Sequence, residues 1–244
     1  MFRRVLLALG GVFLTLVAGI GVEIFLAMRR DYLPTEPAIV IEGTFGEGRP
    51  LRFVVLGDST AAGLGTDEAH AYPTLLAEML AADGYRVELT GLGVSGARVA
   101  DVLAEQVPVA ISLDPDLIFI GIGANDATHL TRLSDIEADM TSIIERIVDD
   151  GTELVVAGAP DMRARAFHEP LRSLVGYRGR RVTATIEATA ERSGIPSVPL
   201  ARLTGPFFAE DPDAHYARDD FHPGRMGYAR WADAIFPYLV DALK

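Results

Sequence analysis

An α/β fold, with a parallel sheet covered by helices on both faces, is what the chain predicts beyond residue 50, and three observations predict it. Short apolar, β-branched runs recur, several of them stop abruptly at glycine, and segments of helical length lie between them. Strands and helices therefore alternate. The first run, Arg52–Leu56, stops at Gly57 and reads as a strand, and a helix over Pro73–Ala82 follows. Val87-Glu88-Leu89 centres a second strand, Arg86–Thr90, before a helix over Arg98–Gln106. Leu117-Ile118-Phe119-Ile120 gives the strand Leu117–Gly121. The helix Asp135–Asp150 comes next, with Ser134 as its cap and Glu137 in the capping-box position. A strand Glu153–Ala157, a helix near Leu171–Ser193, a strand Ser197–Leu200 and a closing helix Met226–Leu243 complete the alternation. No internal repeat or low-complexity segment interrupts it.

Residues 1–30 have a different character. Arg3 and Arg4 precede an uncharged stretch Val5–Val22, and Glu23 is followed by Ile24–Met28 and Arg29-Arg30. From Val5 to Met28 there are 24 residues, and at about 1.5 Å per residue a helix of that length crosses a hydrocarbon core of about 30 Å. The stretch reads as a membrane anchor. A cleavable signal peptide, with secretion, is the rival, but its apolar core is usually about 7–15 residues and no clear small-x-small cleavage site follows. Arginines flank both ends, and the slight excess at the amino terminus favours an extracytoplasmic catalytic domain. Glu23 lies near one end of the span and is assigned no role. Residues 31–50, rich in Pro and Gly, read as a linker in which Ala38–Ile41 can pack as an edge strand; residues 51–244 form the domain.

The chain carries no cysteine, which excludes disulfides, thiolate metal sites, a cysteine nucleophile and lipid attachment through cysteine. Its formal net charge is −12; the first 30 residues hold four of the 22 Lys and Arg and one of the 34 Asp and Glu, leaving the remainder at −15. Such a surface repels nucleic acid, so no nucleic-acid partner is expected.

Chemistry concentrates in a few blocks. Gly57-Asp58-Ser59 places a serine just past a strand's C-terminal end, where open α/β sheets bind ligands. Asp219-Asp220-Phe221-His222-Pro223 supplies a carboxylate three residues before a histidine. A serine hydroxyl is a poor nucleophile at neutral pH and needs an imidazole to take its proton and a carboxylate to fix the imidazole tautomer. Asp219, three before His222, can curl back to the ring on one turn; Asp220 points to the other side. Acyl transfer also needs donors for the developing oxyanion, and a glycine N–H and a side-chain amide suit that task, which makes Gly96 and Asn125 the candidates. The Gly-x-Ser-x-Gly elbow of α/β-hydrolases is absent.

Gly57-Asp58-Ser59, Gly96, Gly123-x-Asn125-Asp126 and Asp219-x-x-His222-Pro223, in this order, resemble the blocks of the SGNH (GDSL-type) hydrolase family over roughly residues 51–244. The resemblance implies a flavodoxin-like three-layer α/β/α sandwich and ester hydrolysis with no metal or cofactor. It implies Ser59 as nucleophile and first oxyanion donor, Gly96 and Asn125 as the other donors, and Asp219 with His222 completing the triad. One departure falls in the second block, where family members often carry Asn and this chain has Gly91; Gly93 competes with Gly96 there. The expected function is a membrane-anchored serine esterase acting on small-molecule or envelope esters. An O-acetyl esterase or acyltransferase acting on envelope carbohydrate is the alternative within the same chemistry, and a non-catalytic envelope-binding domain the alternative outside it.

Other features carry weaker signals. His70, His129, His168 and His215 read as surface or loop residues. His215 with Asp219 and His222 suggests a metal site only if further carboxylates join them, and the Asp-His continuation of dinuclear phosphoesterases is missing after Asp58. Pro160–Tyr177 reads either as a substrate loop or as a solvated loop and helix start, and Phe207-Phe208 either as acyl pocket or as core.

Overall fold

The computed structural model describes residues 2–30, 32–35, 39–149 and 151–244. Asp31 and Glu36–Ala38 of the expected linker, and Asp150 at an expected helix end, lie outside the described residues. A long helix α1 (Phe2–Met28) leads to strands β1 (Glu42–Phe45) and β2 (Arg49–Gly57), a 3₁₀ turn at Glu68–His70, α2 (Tyr72–Ala82) and β3 (Tyr85–Gly91). Then come α3 (Val99–Asp101), a π-helical stretch Val102–Gln106, α4 (Val107–Ser112), β4 (Leu117–Gly121), α5 (Ala124–Thr128), α6 (Leu133–Asp149) and β5 (Glu153–Ala157). The chain closes with α7 (Leu171–Arg192), β6 (Ser197–Val198), α8 (Leu200–Glu210), α9 (Pro212–His215) and α10 (Arg225–Ala242).

The sheet order is β1-β3-β2-β4-β5-β6. Strands β2 to β6 pair in parallel, as expected, but β1 runs antiparallel to β3 and makes the sheet mixed. The edge strand also lies downstream of the Ala38–Ile41 expectation: Ile41 is buried and its carbonyl accepts from the Gly91 N–H at 2.7 Å, while pairing proper starts at Glu42. Only residues 46–48 separate β1 from β2, although β3 lies between the two strands. Three to four extended residues reach the roughly 10 Å that this crossing demands. The crossing passes hard against the end of β3, since a Cβ on Gly48 would lie 1.9 Å from the Gly84 carbonyl oxygen, and Gly46 has φ +72°. Glycine is what permits it.

Alternation along the central strands builds two cores. Phe53, Val55, Leu117 and Phe119 face one layer with Tyr72, Leu76 and Trp231 of α2 and α10; Val54, Leu56, Ile118 and Ile120 face the other with Ile143, Val182 and Ile186 of α6 and α7. Each fully buried side chain of this size stabilises the fold by about 1.5–3 kcal/mol. That gives a three-layer α/β/α arrangement whose strands end level: Gly57 is opposite Gly121, and Gly121 opposite Ala157.

Two local expectations change. The strand expected over Ser197–Leu200 is only Ser197–Val198, because Pro199 cannot donate to a ladder and Leu200 already opens α8. Ser134 is not a cap: α6 begins one residue earlier, and the Ser134 hydroxyl donates to Asp135 Oδ1 at 3.2 Å.

Candidate active site

Ser59 stands two residues beyond the end of β2. Gly57, with φ +147°, is held from both sides by buried Gln106, whose amide accepts from the Gly57 N–H at 2.9 Å and donates to the Gly57 carbonyl at 2.8 Å. Asp58 turns away from the site. Its Oδ1 accepts from the Thr60 N–H at 2.9 Å and the Thr60 hydroxyl at 2.8 Å, which fixes the loop. Burial raises the Asp58 carboxyl above the ordinary carboxylate range, and the two Thr60 bonds only partly oppose it.

The second half of the site sits on the loop between α9 and α10. This loop is closed by the bridge between Tyr216 and Pro223 and by the Ala217 N–H donating to the His222 carbonyl at 2.8 Å. It meets the serine loop closely: a Cβ on Gly65 would lie 2.2 Å from the Pro223 carbonyl oxygen, so glycine is required there. Tyr228 of α10 adds a clamp by donating to the Leu64 carbonyl at 2.6 Å.

Ser59 Oγ lies 3.0 Å from His222 Nε2, and His222 Nδ1 lies 2.7 Å from Asp219 Oδ2. A carboxylate can only accept, so Nδ1 carries the proton and Nε2 is left to accept from the serine hydroxyl. Asp219 Oδ1 is occupied separately, accepting from the Phe221 and His222 N–H groups at 3.1 and 3.0 Å. Burial by itself raises a carboxyl, but these bonds and the neighbouring His222 ring hold Asp219 below the ordinary range. Asp220 takes the other direction, as expected, and pairs with Arg30 at 2.5 Å and Arg165 at 3.4 Å.

Asn125 lies in the first turn of α5, directly beyond β4, and its Nδ2 donates to the Ala97 carbonyl at 3.0 Å, which fixes the amide and leaves its second N–H for the cleft. Gly96 and Gly93 separate clearly. A Cβ on Gly93 would lie 2.6 Å from the Ala61 backbone, whereas Gly96, with φ +87°, has no heavy atom within 4 Å of that position and lines the cleft with Ser59, Asn125 and His222. Among the described residues, neither the Ser59 nor the Gly96 backbone N–H has a protein acceptor. A hydroxyl hydrogen-bonded to an oriented imidazole, flanked by unengaged N–H groups, can attack a carbonyl and receive the charge that develops on its oxygen.

The remaining residues are structural or line the walls. His215 rests against Phe208 and its Nδ1–H donates to the Asp211 carbonyl at 2.8 Å; among the described residues no three His, Asp or Glu side chains converge as a metal site. Pro160–Tyr177 contributes walls: Met162 and Ala164 border a small cavity behind Ser59, Phe167 borders the larger cleft, and the Ala166 N–H donates to the Asp220 carbonyl at 2.9 Å. Phe208 is buried and borders the small cavity, while Phe207 lies under the Arg230 guanidinium at 4.6 Å. His168 and Glu23, given no function from sequence, approach one another at 3.3 Å.

Sequence reasoning missed Gln106 and Arg30. Gln106 stood at the edge of an expected helix, and its one signal was a polar residue inside an apolar pattern. Arg30 read only as a flanking charge, yet its Nε donates to the Asp219 carbonyl at 3.0 Å and its Nη2 to Asp220 at 2.5 Å.

A family model described as the GDSL-like lipase/acylhydrolase family matches residues 55–230. The GDSL-like esterase Rv1075c of Mycobacterium tuberculosis is 32% identical over 197 residues, which are 79% of this chain and 63% of that protein; this chain thus spans just under two thirds of that relative. Esterase TesA of Pseudomonas aeruginosa is 27% identical over 78% of this chain and 88% of its own length. Among solved structures, TesA superposes with a TM-score of 0.64 at 22% identity, covering 78% of this chain and 99% of that one. An acetylxylan esterase from Geobacillus stearothermophilus superposes with a TM-score of 0.62 at 20% identity over 79% and 95% of the two chains. At such identities the structural likeness is one of fold.

Proposed function

The chain belongs to the GDSL-like lipase/acylhydrolase family, and from that premise we propose that it is a membrane-anchored serine esterase that hydrolyses carboxylic esters through an acyl-enzyme on Ser59. The observation that carries this reading is the continuous path Ser59–His222–Asp219, with contacts of 3.0 and 2.7 Å, opening onto unengaged donors. Ser59 Oγ attacks the ester carbonyl as His222 Nε2 takes its proton. The Ser59 and Gly96 N–H groups and the Asn125 amide hold the oxyanion, and His222 returns the proton to the departing alcohol. A water molecule, deprotonated by the same ring, then attacks the acyl carbonyl and releases the acid and free Ser59. Asp219 stays ionised, keeps the tautomer and stabilises the imidazolium. Gln106 holds Gly57 so that Ser59 keeps its place at the strand end.

α1 supports the anchoring part of the reading: Leu9–Ala27 is long and apolar enough to cross a membrane. The same helix serves as the rival signal peptide, and intact mass of the mature protein separates the two. The division expected from sequence is an anchor over residues 1–30, a linker over 31–50 and the hydrolase domain over 51–244; with β1 and the start of β2 in the sheet and Ile41 in its core, the domain is taken to begin near Ile41, on the extracytoplasmic side.

The test is kinetic. The full chain in detergent is expected to hydrolyse 4-nitrophenyl acetate, and Asn125→Ala to lower kcat by about 10²–10³ with KM little changed, the size measured for removing one oxyanion donor. A change confined to KM would move Asn125 from catalysis to substrate binding. A wild-type chain that hydrolyses no ester would remove the esterase reading.

A further inference from the structure

The cleft at Ser59 does not end at the α/β domain. It continues as a groove of about 670 Å³ whose walls come from two helices that are far apart in sequence: Ile20, Ile24 and Ala27 of α1 on one side, and Leu171, Leu174 and Val175 of α7 on the other. The small cavity behind Ser59 offers only about 40 Å³, room for little more than a few waters. The groove lies within the range of about 300–1,000 Å³ typical of ligand sites. Of the two cavities that Ser59 itself lines, only the groove has room for a long substituent on the reacting carbonyl.

α1 is fastened over this groove at two points. Arg30, just past its end, donates to the carbonyls of Asp219 and Ala166 at 3.0 and 3.4 Å and pairs with Asp220, which ties the helix to the loop carrying His222 and to the loop carrying Phe167. Seven residues before Arg30, Glu23 meets His168 at 3.3 Å. Both contacts are polar and specific, whereas the groove between them and Ser59 is mainly apolar, with Phe167 and Phe221 beside the aliphatic side chains and Arg178 and His129 among its polar ones. Leu130 and Leu174, beside the groove, stay 72% and 47% exposed, which in water is unfavourable for side chains of this size but at the level of a bilayer is not.

We propose that the last turns of α1 form one wall of the acyl site, and that the substrate is a long-chain carboxylic ester resident in the bilayer that surrounds α1. Its chain lies between α1 and α7, and its carbonyl reaches Ser59 without the chain crossing water. This proposal rests on the esterase reading above and adds to it a substrate class and a role for the anchor in recognition.

The experiment compares the full chain, in detergent micelles, on 4-nitrophenyl palmitate and 4-nitrophenyl acetate, and reads the ratio of the two kcat/KM values. Ala27→Trp fills the groove from α1, and Leu174→Trp fills it from the facing wall. Leu26→Trp places the same bulk on a residue of α1 that does not line the groove. The palmitate-to-acetate ratio is expected to fall at least about tenfold in the first two variants, as pockets respond to a change of shape, and to stay at the wild-type value in the third. An unchanged ratio in Ala27→Trp, or an equal change in Leu26→Trp, overturns the proposal. Wild-type protein that hydrolyses acetate but not palmitate also overturns it while leaving the esterase reading in place. Protein that hydrolyses neither fails the esterase reading itself.

Discussion

Ser59→Ala is expected to reduce ester hydrolysis by about 10⁶ in kcat, the order seen when the nucleophile of a comparable triad is removed, while the protein folds as before. Among the described residues the hydroxyl hydrogen-bonds to one side chain, His222 Nε2 at 3.0 Å, so its loss strands no structural partner. Position in the fold comes instead from Gly57 held by Gln106 and from Thr60 held by Asp58, neither of which uses the Ser59 side chain. Steady-state rates on 4-nitrophenyl acetate, with thermal unfolding of the same sample, check both parts. Turnover within a hundredfold of wild type would remove Ser59 from the nucleophile role.

Asp219→Asn is expected to cost up to about 10⁴ in kcat, the size of the corresponding loss in a Ser-His-Asp triad, and at least about tenfold more than Asp220→Asn. The amide keeps the shape of the carboxylate but can donate to Nδ1, which favours the wrong tautomer and removes the charge opposite the imidazolium. Asp220 differs in every relevant respect. Its carboxylate pairs with Arg30 and Arg165 at a partly exposed position, and such pairs are worth about 0–1 kcal/mol. Its φ of +57° is one that asparagine also adopts readily, so the loop survives the exchange. Comparable losses at both positions would mean that the triad runs through the wrong carboxylate.

The legible parts of this molecule are those in which local chemistry and global position coincide. Runs such as Leu117–Ile120 are apolar on both faces because both faces are buried, and each stops at a glycine where the sheet ends, so sequence places Gly57, Gly121 and the residues after them at one edge. Asp219 and His222 are three residues apart, and their contact is local. The contact of Ser59 with His222 spans 163 positions; it follows from the two blocks only because the parallel sheet brings both loops to the same edge. What sequence reasoning missed depends on distant partners. Nothing within residues 39–45 announces that β1 lies beyond β3 and runs antiparallel to it, because the connection over residues 46–48 can cross β3 only without a Cβ at Gly46 and Gly48 against Gly84 and Tyr85. α8 follows from Pro199 ending a strand early. Gln106 and Arg30 have meaning only through the backbone groups they meet, Gly57 in one case and Asp219 in the other.

The central claim, a covalent acyl-enzyme on Ser59, is tested most directly by treating the full chain with a fluorophosphonate and locating the label by peptide mass spectrometry. The account predicts one phosphonyl group per chain, carried by the peptide containing Ser59, with esterase activity lost in proportion and no labelling of Ser59→Ala. An active protein that takes up no label, or one that carries it on another residue, would contradict it.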